Sequence, residues 1–525
     1  MKTHRVIAAL LGLASSSCSL VFGLESEQCS VDADCQSRGG EFADSVCVAG
    51  YCRSPTQALG CKSNSECNGT ELCLDAHCIK VTNADCPLVL GEENLRSENP
   101  ILFSIFAPID ELDPDNTVDI KNYRMAIDEF AAELPGGPAG THPFAGLVCN
   151  SRRTTTAMPH VVEKVHVPAI LAGLATDDLA KSFQNVGKKG GVFFLSPYDA
   201  DSTLTAIQDD SLIWNILGSS VHLASVYDPL MQRIASHLNA AEPLRVALVE
   251  GAETFELDLA EAVSASMKID GVVANANPNF VRYGVSPTDA TLAVQAVQQL
   301  LTVHRPHVIL SAAGDEFLAS VVPSLEQGWK AVNGTLPFPF YVLSMENRLS
   351  EKTEELVQAS LNDLGGRLLG VNYAAAEDPS VKQAYLQRFA KKYPSDKNFA
   401  DFENHYDAMY FLLYSFVGAG NVATYSGADV ARGMNRLLSG PRIDVGPLGI
   451  GSGTAALQIP NTKISLYGAL GPPDFDAGTG SRISQGSVWC LEWKGAAALP
   501  VMHDDVLRLD ATKKTLEGDF PCFAF

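Results

Sequence analysis

From residue 101 onward, short unbroken apolar runs alternate with longer stretches in which apolar positions recur every three or four residues. The runs are ILFSIFAPI (Ile101 to Ile109), FAGLVC (Phe144 to Cys149), HVPAILAGL (His166 to Leu174), VFFLSP (Val192 to Pro197), RVALVE (Arg245 to Glu250), GVVANAN (Gly271 to Asn277), HVILSAA (His307 to Ala313) and FYVLSM (Phe340 to Met345). Their lack of polar alternation predicts strands buried on both faces, the condition of a parallel sheet between helical layers. The intervening segments read as helices: Lys121 to Leu134, a segment from Asp177, most of Leu212 to Leu238, Glu256 to Met267, Ala290 to Val303, Asp315 to Ser324 and Ser350 to Leu361. MYFLLYSFV (Met409 to Val417) is the most apolar stretch of the body. It is shorter than the roughly 18 apolar residues of a membrane span and fits a buried helix.

Strand–helix alternation on this scale predicts an α/β class, with too many units for one open sheet. Two doubly wound αβα lobes fit better, with cores near Ile101 to Leu238 and Pro243 to Val371. Ligands of such sheets lie beyond the carboxyl ends of the strands. VFFLSPYDAD, ILAGLATDD, VILSAAGDE and YVLSMEN are such ends.

The first 85 residues follow another pattern. MKTHRVIAALLGLASSSCSLVFG is basic, then apolar, then small, as in an export signal covering residues 1–23. Ser15 to Cys18 resembles a lipoprotein cleavage box that would leave Cys18 lipidated, although Ser15 stands where a large aliphatic residue is usual. Val21 to Gly23 would suit ordinary cleavage instead. Of the 13 cysteines, 12 remain in either case, an even number that implies disulfides in an exported protein. Eight of them form two repeats within residues 24–85: C-x5-C-x11-C-x4-C (Cys29, Cys35, Cys47, Cys52) and C-x5-C-x5-C-x4-C (Cys61, Cys67, Cys73, Cys78). Segments so poor in apolar residues need cross-links in place of a core. The pairing within each repeat stays open, and the paired C-x2-C spacing typical of zinc is missing. In the body, two bridges are expected. Cys149 ends a strand that should lie beside the first strand, whose lead-in holds Cys86. Cys490 and Cys522 are the remaining C-terminal pair.

The formal charge of −23 argues against nucleic acid, which needs clustered Lys and Arg. No G-x-S-x-G, H-E-x-x-H or Walker A motif points to an enzyme. Gly451-Ser-Gly453 lacks the βαβ setting of a dinucleotide loop, so no cofactor and no metal is expected.

VPAILAGLATDDLAKS, GGVFFLSPYDADSTLT, LRVALVEGAETFELDLAEAV and YDAMYFLLYSFVGAGNVATYSGADVARGMNRLL, in this order, resemble the type I periplasmic binding proteins. The likeness, from about Glu98 to Trp493, is greatest to the leucine/isoleucine/valine-binding, or extracellular receptor-ligand-binding, branch. It implies two lobes joined by three crossovers, near Ala240, Val371 to Tyr373 and Pro441 to Gly449. The lobes would then be residues 99–240 with 373–440, and 241–372 with 441–525. It also implies a non-catalytic protein of the cell envelope or periplasm, lipid-anchored or secreted. Such a monomer would capture an amino acid or related small polar solute for an ABC permease or, alternatively, serve a sensor or surface recognition.

By the same resemblance, Thr176, Asp177 and Asp178 stand where the family holds a carboxylate. Tyr198, Asp199 and Ala200 occupy the next loop, Phe255 matches a covering aromatic, and Glu346 with Asp315 lies where the ligand's amino group is held. Plain structural roles compete at each position. Asp177 and Asp178 suit helix caps, Asp199 and Asp201 an Asx turn, Tyr198 and Phe255 a core, and Glu346 a surface. Four aspartates on two loops (Asp177, Asp178, Asp199, Asp201) disfavour a carboxylate ligand and favour a cationic or hydroxyl-rich one.

Overall fold

The computed structural model describes residues 29–525 except 40–41, 43–44, 49–50, 54–59, 75, 110–112, 199–200, 239–241, 360–363, 397–398, 493–499 and 523–525. Cys18, Asp199 and Ala200 thus lie outside the described residues. The chain divides into two compact units, ending and beginning at Lys80 and Val81.

The first unit is built twice from one plan. A short helical turn, Asp32–Gln36 or Asn64–Glu66, precedes a hairpin, Val46–Val48 with Tyr51–Arg53 or Glu71–Leu74 with His77–Lys80. In each copy the first cysteine bonds the third and the second bonds the fourth: Cys29–Cys47, Cys35–Cys52, Cys61–Cys73 and Cys67–Cys78. All eight thiols are consumed, and Cys29, Cys35, Cys61 and Cys67 are themselves buried. Sulfur makes up much of the interior.

The second unit holds two eight-stranded sheets. One runs 475–476, 481–482, 213–215, 193–196, 169–172, 101–107, 144–150, 88–90; the other runs 280–284, 246–250, 308–312, 340–343, 368–373, 486–492, 501–510, 515–517. Five successive strands of each are parallel and follow the same winding, with the first strand in sequence between the second and third. In the second sheet they start at the edge strand 280–284, and in the first the short strand 481–482 adds a sixth. Along Val246–Glu250, Val246 and Leu248 enter one apolar core while Ala247 and Val249 enter the other. Both faces are therefore buried, as the unbroken apolar runs required. Helix Glu403–Ala419 is buried at every residue but its last and fills the interior of the first lobe.

Some expectations are corrected. GVVANAN supplies only Val272–Val273, a two-residue hairpin arm paired with Lys268–Ile269, and the parallel strand is Phe280–Gly284. Ile213–Asn215, read as part of a helix, is a strand of the first sheet. The first crossover accordingly follows Asn215 rather than Ala240, because helix Tyr227–Leu238 already packs in the second-sheet core. The last crossover falls between Arg482 and Gly486 rather than at Pro441 to Gly449. Strand Ser481–Arg482 still pairs with the first sheet, and Gly486–Glu492 with the second. The crossovers meet closely. Ala374 N–H donates to Gln485 O (2.8 Å), and a Cβ on Gly218 would lie 2.7 Å from the Tyr373 ring and 3.1 Å from Ser484.

The expected bridges are present as Cys86–Cys149 and Cys490–Cys522. The lead-in to the first strand is itself an edge strand, Leu88–Leu90, antiparallel to Phe144–Asn150, which brings Cys86 to Cys149. Among the described residues no helix is long and apolar enough to cross a membrane.

Candidate functional site

The carboxyl ends of strands from both sheets enclose a cavity of about 480 Å³. The first lobe contributes Leu174, Ala175, Thr176 and Asp177 after Ala169–Ala172, Tyr198 after Phe193–Ser196, and Leu217 after Ile213–Asn215. The second contributes Ala252, Glu253, Thr254 and Phe255 after Val246–Glu250, and Met345 and Glu346 after Phe340–Leu343. Just before Leu174 the backbone of two neighbouring strands approaches closely. A Cβ at Gly173 would lie 2.5 Å from Phe106 O, so only glycine lets strand 169–172 turn beside strand 101–107.

Of the residues expected from sequence, Thr176, Asp177, Tyr198, Phe255 and Glu346 line this cavity together. Asp178 is exposed on the first turn of helix Thr176–Ser182 and does not line it. Neither Asp177 nor Asp178 caps that helix, whose N-cap is Ala175. Asp315 lies apart from the cavity lining and accepts a hydrogen bond from Ser350 Oγ (2.5 Å). Asp201 is fully buried and caps helix Ser202–Thr205, accepting from Leu204 N–H at 3.0 Å. Burial raises its carboxyl above the ordinary aspartate range, and nearby Asp258 adds to this. Asp201 is thus spent on a helix end.

The lobes touch around the cavity. Thr254 Oγ1 donates to Asp177 Oδ1 at 2.6 Å, and Asp177 also faces Lys181 at 3.6 Å. Ser202 N–H donates to Asp258 Oδ2 at 3.0 Å. Arg348 of the second lobe reaches Asp401 of the first (3.0 Å) while holding Asp504 with its other nitrogens (2.6 and 2.7 Å).

Behind Tyr198 lies a buried polar chain. The Tyr198 ring meets the His405 ring edge to face at 5.5 Å, His405 Nδ1 is 2.6 Å from Tyr123 Oη, and His405 Nε2 is 3.7 Å from Asp119. Burial lowers the His405 pKa and, opposed only in part by Asp119, keeps the ring neutral. Burial also raises the Tyr198 hydroxyl well above its ordinary value. Tyr198 is therefore a neutral wall of the cavity at physiological pH, with a neutral His405 behind it.

On the other side, helix Thr254–Ser266 begins with a capping box in which Glu256 accepts from Glu253 N–H (2.9 Å). Glu256 Oε1 also accepts from Gly314 N–H (2.7 Å), tying two strand ends of the second sheet together. Burial pushes its carboxyl up to about 7, against the lowering effect of the Glu253 N–H. A Cβ on Gly251 would collide with that carboxylate, which explains the glycine.

Glu253, Thr254, Met345, Leu174 and Leu217 line the cavity without having been singled out. Leu174 and Met345 lie on strand ends already marked, ILAGLATDD and YVLSMEN, while Glu253 and Thr254 immediately precede Phe255 on a strand end that was not. Leu217 was hidden because its strand reads as helix.

No protein-family model matches the chain, and neither does any curated protein. Solved structures do. The leucine binding protein LivK of Thermotoga maritima aligns at 13% identity over 77% of this chain and 97% of its own, with a TM-score of 0.52. A solute binding protein of R. palustris in complex with 4-hydroxybenzoate aligns at 13% over 81% and 98%, TM-score 0.54. LivJ of Streptococcus pneumoniae, in complex with isoleucine, aligns at 13% over 77% and 99%, TM-score 0.50. The fold is that of the type I periplasmic binding proteins. At this identity the likeness concerns architecture, and the cavity residues carry the chemistry.

Proposed function

We propose that the two-lobed body captures a small organic solute between its lobes, outside the cytoplasm, and passes it unchanged to a membrane transport system. The observation that carries this reading is the 480 Å³ cavity assembled from strand ends of both sheets. Volumes of this order hold molecules of amino-acid or aromatic-acid size. The similar folds support it too, being those of proteins that bind leucine, isoleucine or 4-hydroxybenzoate. Thr176, Asp177, Tyr198, Phe255 and Glu346 are the proposed ligand contacts, and closure about the three crossovers is the proposed motion.

A thermal-shift screen of amino acids, aromatic acids, amines and sugars tests capture. A ligand at a hundred times its Kd should add about 2.7 kcal/mol of stability, with a matching fall in radius of gyration by X-ray scattering. Absence of any stabilising solute across those classes would overturn the reading. Membrane attachment through a lipidated Cys18 is part of the proposal. Mass spectrometry of the mature N-terminus should find a diacylglyceryl group there, and a free N-terminus following Gly23 would exclude it.

A further inference from the structure

The charge of the cavity is one-sided. Asp177, Glu253 and Glu346 line it, and among the described residues the lining includes no Lys, Arg or His. Lys181 is the cation beside Asp177, on the exposed face of the helix. Two helices begin at the cavity, and both N-termini already carry acids: Asp177 and Asp178 on Thr176–Ser182, Glu253 and Glu256 on Thr254–Ser266. A helix N-terminus attracts an anion through its unpaired N–H groups. Here the carboxylates of the same first turns offset that attraction, and the Glu253 and Gly314 N–H groups are spent on Glu256. An incoming carboxylate would meet three like charges, all on residues exposed to water, which weakens their repulsion without reversing its sign.

The apolar part of the lining points the same way. Tyr198 and Phe255 add flat aromatic faces, which attract cations and resist anions.

We infer that the solute is a small organic cation with two ammonium- or guanidinium-type ends and no free carboxylate, held between Asp177 on one lobe and Glu253 and Glu346 on the other. This rests on the capture reading above. The ends answer the carboxylates, and the connecting carbons lie along Tyr198, Phe255, Leu217 and Met345.

Calorimetric titration of the full chain decides it, with putrescine and agmatine as probes against leucine, 4-hydroxybenzoate and ribose. The expected result is binding of an amine probe that weakens with added salt. Glu253→Gln and Glu346→Gln should each weaken it roughly five- to tenfold. Asp178→Asn, outside the cavity lining, should leave it unchanged. Binding of leucine, 4-hydroxybenzoate or ribose without either amine overturns the charge inference and leaves solute capture standing. Amine binding indifferent to both Gln variants, each confirmed folded by circular dichroism, overturns the assigned site. If no probe and no member of the wider screen binds, capture and charge inference fall together.

Discussion

The residues up to Lys80 and the body after it solve the same stability problem by opposite means. In the first unit, four disulfides close loops with sequence separations of 11 to 18, and the buried side chains are largely the cysteines themselves. In the body, two bridges serve 445 residues of chain, from Val81 to Phe525. Apolar packing carries the rest, as two cores on the faces of the second sheet and as strands buried at every residue in the first. The comparison teaches that size decides the strategy. A short segment cannot remove enough apolar surface from water to offset its conformational entropy, whereas two eight-stranded sheets can.

The most direct way to break this comparison is reduction. Each short disulfide loop is worth about 3 kcal/mol, through restriction of the unfolded chain. Reductant should therefore abolish amide-exchange protection across residues 29–80 altogether, while the central strands of the body stay protected. Retained protection in the repeats would mean that they own a core after all.

The body should instead be vulnerable through its packing. Trp489 is fully buried, donates to Val371 O at 3.2 Å, and lies so close over Gly370 that a Cβ there would come within 2.3 Å of the indole. Trp489→Ala should cost about 3–5 kcal/mol in chemical denaturation, a loss that reduction of Cys490–Cys522 should not mimic in shape or size.

A third test concerns charges that the body buries near the cleft. Glu256 keeps its proton to about pH 7 when folded, whereas the unfolded chain ionises it from an ordinary glutamate value near 4.3. Stability from this group is complete below the unfolded value and is lost as pH rises to about 7. Asp407, fully buried and raised to about 6, acts in the same direction over a lower range. Denaturation midpoints should therefore fall between about pH 5 and pH 8, and Glu256→Gln should flatten part of that fall. An unchanged slope in the variant would show that Glu256 ionises normally in the fold.

The smallest effect is expected where the lobes meet, since polar contacts do the work there. Arg348 joins Asp504 of its own lobe to Asp401 of the other, and its side chain is 11% exposed against 29% for Asp401. Arg348→Ala should favour the open form by about 1–2 kcal/mol, read as a larger radius of gyration without ligand. Thr254→Ala removes one hydrogen bond to Asp177 and should shift the same measurement by about 0.5–1.5 kcal/mol. If the core substitution Trp489→Ala opened the lobes more than Arg348→Ala, the division between packed lobes and polar contact would be wrong.

Local pattern alone determined a good deal of this protein. Uninterrupted apolar runs such as Phe144–Asn150 and Phe193–Ser196 are strands because parallel sheets bury both faces, and helix Glu403–Ala419 is largely apolar because all of it but Ala419 is buried. The cysteine spacing announced two cross-linked repeats, and strand neighbourhood paired Cys86 with Cys149. Tertiary structure decided what depends on residues far apart in the chain. Phe280–Gly284 is partly exposed and polar enough to read as loop, and it becomes a strand because the Val246–Glu250 edge offers hydrogen bonds. The crossovers after Asn215 and Arg482 were invisible because lobe membership follows from which sheet a segment pairs with, a non-local property. The four aspartates looked alike in sequence. Packing turned Asp201 into a buried cap, left Asp178 in solvent, set Asp177 in the cavity lining, and added Glu253 from a helix start in the other lobe. A carboxylate's role depends on the dielectric and donors around it, and those are supplied by chain that is distant in sequence.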